Sequence, residues 1–400
     1  MWTVPLSIEL ANVLGRVIIV TSQIHLFLWL RRAAIDRNSR WGFWASWAFL
    51  LAGLSLAASV DLLAWDRFVW PNRAPLLWRL VAGAWTSGSV GAYALLLGYG
   101  LLRRLRKPMI VSRSPQAQPP RHSITRRQLT SAAARVALTA PFAVAGYGTF
   151  IGRTRFELRE VDLAMPGLPE ALEGLRIAQL TDIHCGPYLP LREVETVVGM
   201  VNETRPHLAV VTGDLITRAA DPLQGCLEKL GGLKAEAGVF HCLGNHEVYA
   251  RAQGFVEQFG RSLGMEVLRK QASLLRFGDA RLNVCGVDYQ RKELPYLESA
   301  ESLLDPLAFN LLLSHNPDVF PVAAGMGYDL VIGGHTHGGQ VTMEIVEQWV
   351  NAGRFFTPFV AGVYRSADSA LYVSRGIGTI NLPMRVGALP EITLLRLRRA

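Results

Sequence analysis

Two histidines one residue apart lie within a run of glycines, in the sequence GGHTHGGQ at residues 333–340. Imidazole nitrogens are frequent ligands of divalent transition metals, so His335 and His337 on one tight bend could hold metal ions. Taken alone, the pair has an ordinary alternative, which is a surface turn. Further ligands elsewhere in the sequence are therefore needed before a metal site can be predicted.

Five apolar runs rich in β-branched residues each end in a polar cluster, and such runs are typical of buried strands. The runs are LRIAQLTDIHCG (175–186), HLAVVTGD (207–214), GVFHCLGNHE (238–247), FNLLLSHNPD (309–318) and YDLVIGGHTHGG (328–339). Their ligand-capable residues are Asp182, His184, Asp214, Asn245, His246, His315, His335 and His337. Each one separately could be a helix cap, a turn former or a core histidine. Together they indicate a metal site, because independent caps would also use Ser, Thr and Gly.

The elements that position these residues alternate between strands and helices. Between the first two runs, Leu191 to Glu203 has valines at helical spacing, namely Val194, Val197, Val198 and Val201. Alternating strands and helices predict a layered α/β fold. Ligands of open α/β sheets gather outside the carboxyl ends of the strands, so we expect all eight side chains at one edge.

The number and types of these groups predict two metal ions. One divalent ion takes about four to six ligands, and imidazole mixed with carboxylate and amide favours Zn, Mn or Fe over Mg or Ca. Eight groups exceed what one ion uses, which favours two ions that share a bridging carboxylate. Two ions about 3.5–4 Å apart suit phosphoester hydrolysis, because they polarise the phosphoryl oxygens and deprotonate a bridging water to hydroxide.

The ordered motifs DIH (182–184), GD (213–214), GNHE (244–247), His315 and GHTH (334–337) resemble the signature of the calcineurin-like metallophosphoesterases. The flanks SHNPD, GGHTHGGQ and SRGIGTINLPMRVGALPEI (374–392) resemble its bacterial membrane-associated branch, whose members often carry an N-terminal export or membrane segment. The resemblance covers about residues 155–398. It implies a layered α/β/β/α sandwich and a metal-dependent phosphoric ester hydrolase.

The resemblance also implies a role for each residue. Asp182, His184 and His337 would hold the first metal, and Asn245, His315 and His335 the second, with Asp214 bridging both. His246 would be catalytic rather than a ligand, donating a proton to the leaving oxygen or stabilising the charge that develops there. Glu247 stands where the family often has Asp, which leaves it a supporting role beside the ligands.

The charge of the chain is unevenly distributed along its 400 residues. The formal net charge is +9, but residues 1–152 hold 17 Lys/Arg against four acids, which leaves 24 Lys/Arg and 28 acids for residues 153–400. Positive charge confined to the first third is better explained by membrane topology than by a nucleic-acid groove, so no nucleic-acid binding is expected. The 50% hydrophobic content is also high for a purely soluble enzyme.

Residues 1–107 are predicted to contain three transmembrane helices, at about 10–30, 42–60 and 80–102. No charged residue lies between Arg40 and Asp61 or between Arg79 and Arg103, and each stretch is long enough for a hydrocarbon core that needs about 20 residues. Residues 108–131 are predicted to be a basic cytoplasmic linker that ends in a twin-arginine-like motif at Arg126 and Arg127. Residues 132–152 are either a fourth span or an export signal, and residues 153–400 form the metallophosphoesterase domain.

Orientation follows from the arginines, because short cytoplasmic loops collect positive charge. The clusters after the first and third predicted spans place both loops in the cytoplasm, and a fourth crossing would then place residues 153–400 outside. We therefore predict a multi-pass protein of the bacterial inner membrane with a periplasmic catalytic domain. Location beside a bilayer, together with the resemblance of the branch to hydrolases of UDP-linked acylated glucosamine, favours a lipid-linked or cell-envelope phosphoester.

Other functions are compatible with parts of the sequence. A non-catalytic membrane sensor of metal or phosphate would explain why the membrane part exceeds a simple anchor, but an intact ligand set favours an enzyme. A transporter has only the spans in its favour. Four cysteines show no metal-binding spacing and are best interpreted as buried core residues, with one disulfide as the alternative if the domain is extracytoplasmic.

Overall fold

The structure is a computed structural model that describes residues 6–36, 38–58, 75–105, 126–291, 296–345 and 348–400. The chain divides into two compact units, Met1–Phe150 and Ile151–Ala400. Most of the predicted basic linker, and the loop between the second and third predicted spans, lie outside the described residues.

The first unit is entirely helical where it is described. It contains α1 (Leu6–Asp36), α2 (Arg40–Ala58), α3 (Leu76–Leu105) and α4 (Arg126–Phe150). From Val13 onward α1 is long and apolar enough to cross a membrane, and so are α2 and α3. These three helices overlap the three predicted spans, and the prediction of an all-α membrane module is confirmed. The region of the predicted fourth segment is helical as α4, and its crossing of the membrane stays a prediction.

Small residues allow close packing of α3 against α4. A Cβ atom added at Gly88 would lie 2.5 Å from the ring of Phe142 and 2.9 Å from its Cα, and one added at Gly91 would lie 2.9 Å from Pro141. Glycine at such positions lets two helix backbones approach, as is common between helices in membranes. A buried polar contact joins α1 to α3, where the Trp85 Nε1 donates to Gln23 Oε1 at 3.1 Å.

The second unit begins with a six-stranded mixed sheet. Its strands are β1 (Glu157–Met165), β2 (Arg176–Leu180), β3 (Leu208–Val211), β4 (Val239–His241), β5 (Met265–Val267) and the final strand β14 (Glu391–Arg399). They lie in the order β1-β14-β2-β3-β4-β5. Strands β2 to β5 are parallel to one another, while β14 runs antiparallel to β2. Helices α5 (Leu191–Glu203), α6 (Leu223–Leu230), α7 (Asn245–Tyr249) and α8 (Gln253–Ser262) lie in the connections.

A second six-stranded sheet follows. It contains β6 (Gln271–Phe277), β7 (Ala280–Gly286), β8 (Phe309–Leu313), β9 (Leu330–Gly333), β12 (Gly362–Ser366) and β13 (Ser369–Val373), in the order β12-β13-β9-β8-β7-β6. Strands β7, β8, β9 and β13 are parallel. Helix α9 (Phe320–Met326) connects β8 to β9, and a small hairpin, β10 (Thr342–Ile345) and β11 (Gln348–Asn351), follows β9.

Three apolar layers hold the second unit together. The layer between the sheets contains residues of both, such as Ile177 of β2 and Leu311 of β8. The other face of the first sheet packs on α5 and α6 through the valines predicted at helical spacing, and the other face of the second sheet packs on α9. Strands buried on both faces explain why β2, β3, β8 and β9 are continuous apolar runs. The predicted layered α/β/β/α sandwich is confirmed.

Candidate metal centre

The predicted ligands come together at one edge of the sandwich, just beyond the carboxyl ends of five parallel strands. Asp182 and His184 follow β2, Asp214 follows β3, Asn245 and His246 follow β4, His315 follows β8, and His335 and His337 follow β9. The first five belong to the first sheet and the last three to the second. The site is therefore assembled across the boundary between the two sheets.

Asp182, His184 and His337 form one compact group. The Nε2 atoms of the two histidines lie 3.1 Å apart, and Nε2 of His337 lies 3.3 Å from Oδ1 of Asp182. All three side chains are buried. Their ligand atoms lie within 4.8 Å of one another, close enough to surround a single ion.

A second group contains Asp214, His315 and His335. Nε2 of His315 lies 3.1 Å from Oδ2 of Asp214 and 3.2 Å from Nδ1 of His335. Oδ2 of Asp214 also lies 3.6 Å from Nε2 of His184, which belongs to the first group. Asp214 is thus the carboxylate that lies between the two groups.

Asn245 and His246 begin α7 at the rim of these groups. Asn245 is 5% exposed, and its Oδ1 finds no hydrogen-bond donor among the described residues. The backbone N–H of His246 donates to Oδ1 of Asp214 at 2.9 Å, and its Nδ1 lies 2.8 Å from the carbonyl oxygen of Thr217. That carbonyl can only accept, so Nδ1 carries a proton and Nε2 faces Oδ2 of Asp214 at 4.0 Å.

Burial and the close carboxylates shift the pKa values in this site. Burial, opposed by the His315 charge and reinforced by Asp214, raises the pKa of Asp182 to about 6. Burial also favours the neutral form of Asp214, but His315 holds the pKa of that carboxyl well below its ordinary value. Burial would likewise lower the pKa of His315, yet Asp214 and Asp182 raise it to about 10. Without a metal, His315 is therefore the cation that balances the two carboxylates.

Two further histidines of the site, His184 and His337, are neutral. Burial lowers the pKa of His184 to about 3, and burial together with the neighbouring His184 places the pKa of His337 well below its ordinary value. A neutral imidazole has a free lone pair, which is the form that binds a metal. The electrostatics of the site therefore favour its use as a ligand set.

Two oxygen atoms that belong to neither ligand group fix the orientation of the His315 and His184 rings. Nδ1 of His315 lies 2.7 Å from the carbonyl oxygen of Thr212, and Nδ1 of His184 lies 2.9 Å from Oγ1 of Thr217. Contacts of this kind hold the ring so that its other nitrogen, Nε2, points into the site, as is usual for metal-bound histidines. The two threonines carried no signal in the sequence, because their role depends on strand ends that meet only in the folded chain.

The backbone at the ligands is unusual. Asp182, His184, Asp214, His335 and His337 all have φ between +47° and +74°. A left-handed backbone is uncommon for residues with a Cβ and costs free energy, and it persists only where surrounding contacts impose it. The fold therefore holds these five side chains in place at a cost, as expected at a functional site.

Glycines around the ligands serve close approach more than turn geometry. A Cβ atom at Gly334 would lie 2.3 Å from Oδ2 of Asp182, and one at Gly244 would lie 2.2 Å from Oδ1 of Asp214. In GGHTHGGQ the positive φ values belong to His335, His337, Gly338, Gly339 and Gln340. The first two glycines of that motif therefore allow neighbouring loops to approach closely, and they do not supply the positive φ of the turn.

Glu247 holds the backbone of two loops of the site in place. The side chain is fully buried, and its Oε2 accepts from the backbone N–H groups of Asp214 at 3.0 Å and Gly244 at 2.8 Å, while Oε1 accepts from Leu215 at 2.7 Å. Burial raises the pKa of Glu247, with Asp214 adding to the shift. The carboxylate ties the loop after β3 to the start of α7, so it fixes both Asp214 and Asn245.

Arg385 is a supporting residue that sequence reasoning missed. It is fully buried, and its guanidinium donates to the carbonyl oxygens of His337 at 2.9 Å, Arg375 at 2.8 Å and Gly378 at 2.9 Å. Burial lowers the pKa of Arg385 to about 10, against an upward contribution from Asp182. The available signal in the sequence was its position within the apolar stretch NLPMRVGALP. A charged residue in such a stretch is expected to be buried only if it has partners.

The donor set fits two divalent ions. Nε2 atoms of the neutral His184 and His337 lie 3.1 Å apart beside the carboxylate of Asp182, and a bound cation would accept a lone pair from each of these groups. The orphaned Oδ1 of Asn245 also lacks the partner that an ion would supply. Imidazole, carboxylate and amide together suit Zn, Mn or Fe.

Two tyrosines flank the donor set. The ring of Tyr249 lies 5.7 Å from that of His246, and the ring of Tyr289 lies 5.6 Å from His335 and 6.1 Å from His315. Burial, with a further contribution from Tyr249, raises the pKa of Tyr289, so its hydroxyl stays protonated and can donate. Both residues lie in the part of the chain between β4 and β8.

Comparisons with known proteins agree with this geometry. A family model described as calcineurin-like phosphoesterase matches residues 175–339. The chain is 32% identical over 330 residues to a zebrafish (Danio rerio) transmembrane protein with metallophosphoesterase domain, in a match that covers 78% of this chain and 72% of that protein. The second unit has only residues 151–400, so this match reaches into the helical unit.

Two bacterial relatives match this chain over lengths close to the 250 residues of the second unit. The Bacillus subtilis metallophosphoesterase YkuE is 29% identical over 261 residues, covering 63% of this chain and 89% of that protein. The Escherichia coli phosphodiesterase YaeI is 27% identical over 281 residues, covering 68% and 98%.

The geometry of Glu247 generates a prediction. Glu247→Gln replaces one carboxylate oxygen with an amide nitrogen that cannot accept from the backbone, so at least one buried N–H loses its partner. We expect the free energy of unfolding of the second unit to fall by about 2–3 kcal/mol. We also expect the chain to retain less metal after dialysis.

Urea-dependent proteolysis measures the stability, and elemental analysis measures the metal. Glu228→Gln, on the exposed face of α6, is the matched control and should change neither. Wild-type stability and metal content in Glu247→Gln would contradict the assigned role.

Proposed function

Since this chain belongs to the calcineurin-like metallophosphoesterases, which are metal-dependent phosphoester hydrolases, we propose that it cleaves a phosphoester of a lipid or cell-envelope substrate. The observation that carries the proposal is the convergence of six donor side chains around the buried Asp214 carboxylate. The presence of membrane-crossing helices in the same chain supports a substrate that resides at a bilayer.

We assign the ligands as two sets. Asp182, His184 and His337 hold one ion, Asn245, His315 and His335 hold the other, and Asp214 contributes to both. Bound divalent ions supply positive charge to the phosphoryl oxygens and lower the pKa of a water molecule that acts as nucleophile. The contribution of the chain is to hold the donors rigidly, since reorganisation during the reaction would cost rate.

His246 is assigned as the proton donor to the leaving oxygen. Its ring is fixed by the bond from Nδ1 to the carbonyl of Thr217, and the protonated ring carries its second proton on Nε2, the nitrogen that faces Asp214. The ring is partly buried at the rim, where a leaving group would emerge. This placement suits a general acid better than a ligand.

The substrate class is narrowed by the wall of the site. Tyr249 is about half exposed beside His246, and Tyr289 lies against the two histidines of the second set. Their rings offer apolar surface and hydroxyl donors to the group attached to the phosphorus. A UDP-acylglucosamine-like pyrophosphate or a phospholipid would use both, and a nucleotide-like or small diester is the alternative. The name of the E. coli relative favours a diesterase.

Asp214→Asn tests the enzyme assignment. The amide removes the negative charge shared by the two ligand sets, so we expect metal content to fall and turnover of an aryl phosphodiester by the Mn-loaded protein to drop at least about 1,000-fold. Turnover and elemental analysis are measured on the same preparations, with Asp279→Asn, exposed in the turn after β6, as the control. A wild-type protein that holds two metals yet hydrolyses no phosphoester in lipid and nucleotide panels would support the sensor function instead.

His246→Gln tests the general acid. A good leaving group such as p-nitrophenolate needs no proton, whereas an alkoxide does, so the variant should lose about 100-fold or more on an alkyl ester and much less on the aryl ester. The ratio of kcat values for the two substrates is the measurement. Equal losses on both, with full metal content, would contradict proton donation.

The proposed orientation places the second unit in the periplasm of a bacterial cell. The clusters of arginines after the first and third predicted spans support it. We expect an external protease to digest residues 153–400 in spheroplasts, while a cytoplasmic marker protein stays intact. Digestion that occurs only after lysis would reverse the orientation.

A further inference from the structure

The segment Arg354-Phe355-Phe356 is exposed beside the metal centre. Phe355 is 89% exposed and Phe356 is 75% exposed, which makes them the most exposed large apolar side chains in the described part of the second unit. Single apolar residues on a surface are ordinary, but two adjacent phenylalanines with this exposure expose a large apolar area to water.

Residues on both sides of this segment, Asn351 and Val360, are hydrogen-bonded to the loop that carries His335 and His337. Nδ2 of Asn351 donates to the carbonyl oxygen of Gly338 at 2.7 Å, and Oγ1 of Thr336 donates to the carbonyl oxygen of Val360 at 2.5 Å. A Cβ atom at Gly339 would overlap Oδ1 of Asn351 at 1.9 Å, so the contact requires glycine there. The two phenylalanines are therefore held at a fixed place relative to the metal centre.

A basic pocket lies next to the phenylalanines. It has a volume of about 260 Å³, and its charged lining residues are Arg159, Arg354 and Arg375. Nη1 of Arg159 lies 3.7 Å and Nε of Arg375 lies 3.5 Å from the same oxygen of Glu391. Arg354 adds a third cation to the two guanidiniums that share this oxygen, so the lining of the pocket carries an excess of positive charge. Arg354 both lines the pocket and precedes Phe355, so the apolar and basic parts form one surface.

The occupant that fits this surface is a phospholipid bilayer. Phenylalanine beside arginine is the composition of interfacial membrane contacts, where rings enter the acyl region and cations pair with anionic headgroups. A stable protein partner would need about 800 Å² on each side, whereas two phenylalanines supply about 150–250 Å² each. The same chain also carries helices that can cross a membrane, so a bilayer is always at hand.

We propose that Arg354, Phe355 and Phe356 dock the metal-bearing edge of the second unit on an anionic phospholipid surface, with a headgroup phosphate in the pocket of Arg159, Arg354 and Arg375. This docking goes beyond the proposed hydrolysis, since it needs neither metals nor turnover. Its consequence is that the edge with the metal ligands faces the lipid headgroups. A phosphoester carried by a lipid would then reach the site without leaving the bilayer.

The test places an environment-sensitive NBD fluorophore at Phe355→Cys in the full chain, reconstituted in nanodiscs. All four native cysteines are buried and free, so labelling of the new thiol is selective. Leu307→Cys is the matched control, because Leu307 is also apolar and 74% exposed. It precedes β8 and so lies at the opposite end of that strand from His315.

In nanodiscs containing phosphatidylglycerol we expect blue-shifted emission from position 355 and severalfold stronger quenching by doxyl-labelled lipids than at position 307. Phosphatidylcholine alone should weaken the effect, and so should Arg354→Ser with Phe356→Ser in the labelled chain. Thermal unfolding and metal content, measured on each variant, establish that the second unit is folded.

Emission at position 355 that matches the control in both lipids would overturn the proposal. A blue shift that doxyl lipids do not quench would overturn it as well, because the rings would then be covered by protein, such as a second copy. Loss of hydrolysis with intact quenching would count against the proposed function and leave the docking standing, so the two failures are distinguishable.

Discussion

The structure of the second unit depends on the burial of two carboxylates, Asp182 and Asp214. They are 0% and 2% exposed, and a buried charge without compensation would destabilise the fold by several kcal/mol. Compensation comes from every side: His315 lies 3.1 Å from Asp214, backbone N–H groups of His335 and His246 donate to the two carboxylates, and Oγ1 of Thr181 donates to Asp182. The loops that supply these groups are therefore not free to vary independently. The position of each loop is constrained by the hydrogen bond or ion pair that it provides to the carboxylates.

The need for close approach explains the glycines and the strained backbone together. Loops from both sheets meet around Asp182 so closely that a Cβ atom at Gly334 would lie 2.3 Å from its Oδ2 and one at Gly376 would lie 2.6 Å from its Cβ, so neither position has room for a side chain. Five of the seven proposed ligands take left-handed backbone conformations. The cost is offset by Glu247 and Arg385, two buried ionisable groups whose hydrogen bonds go mainly to backbone atoms of these loops. The strained backbone at the ligands therefore occurs together with buried polar side chains that stabilise it.

How much of this could be predicted from the sequence depends on the range of the contacts involved. The apolar runs of the strands and the valine spacing of α5 are local patterns, so the sequence alone predicts these elements. Because ligands gather at the carboxyl ends of strands, the same reasoning places the eight polar residues together. The roles of Thr212, Thr217 and Arg385 could not be predicted, since they arise from contacts between segments distant in the chain. The supporting role of Glu247 was predicted from the family resemblance, because it stands where the family often has Asp. The exposure of Phe355 and Phe356 was also invisible, because an apolar pair in a sequence is ordinarily assigned to the core.

Each proposed ligand set draws on both sheets, and this links metal binding to the packing of the sandwich. Asp182 and His184 belong to the first sheet and their partner His337 to the second, while Asn245 of the first sheet joins His315 and His335 of the second. An ion that binds only the folded arrangement stabilises it in proportion to the logarithm of its concentration over the dissociation constant. The apolar layer between the sheets does not depend on metal, so its stabilisation remains when the site is empty. Bound metals would therefore stabilise the edge of the sandwich at which the ligand loops have left-handed backbone conformations. The apolar layer constrains this edge least.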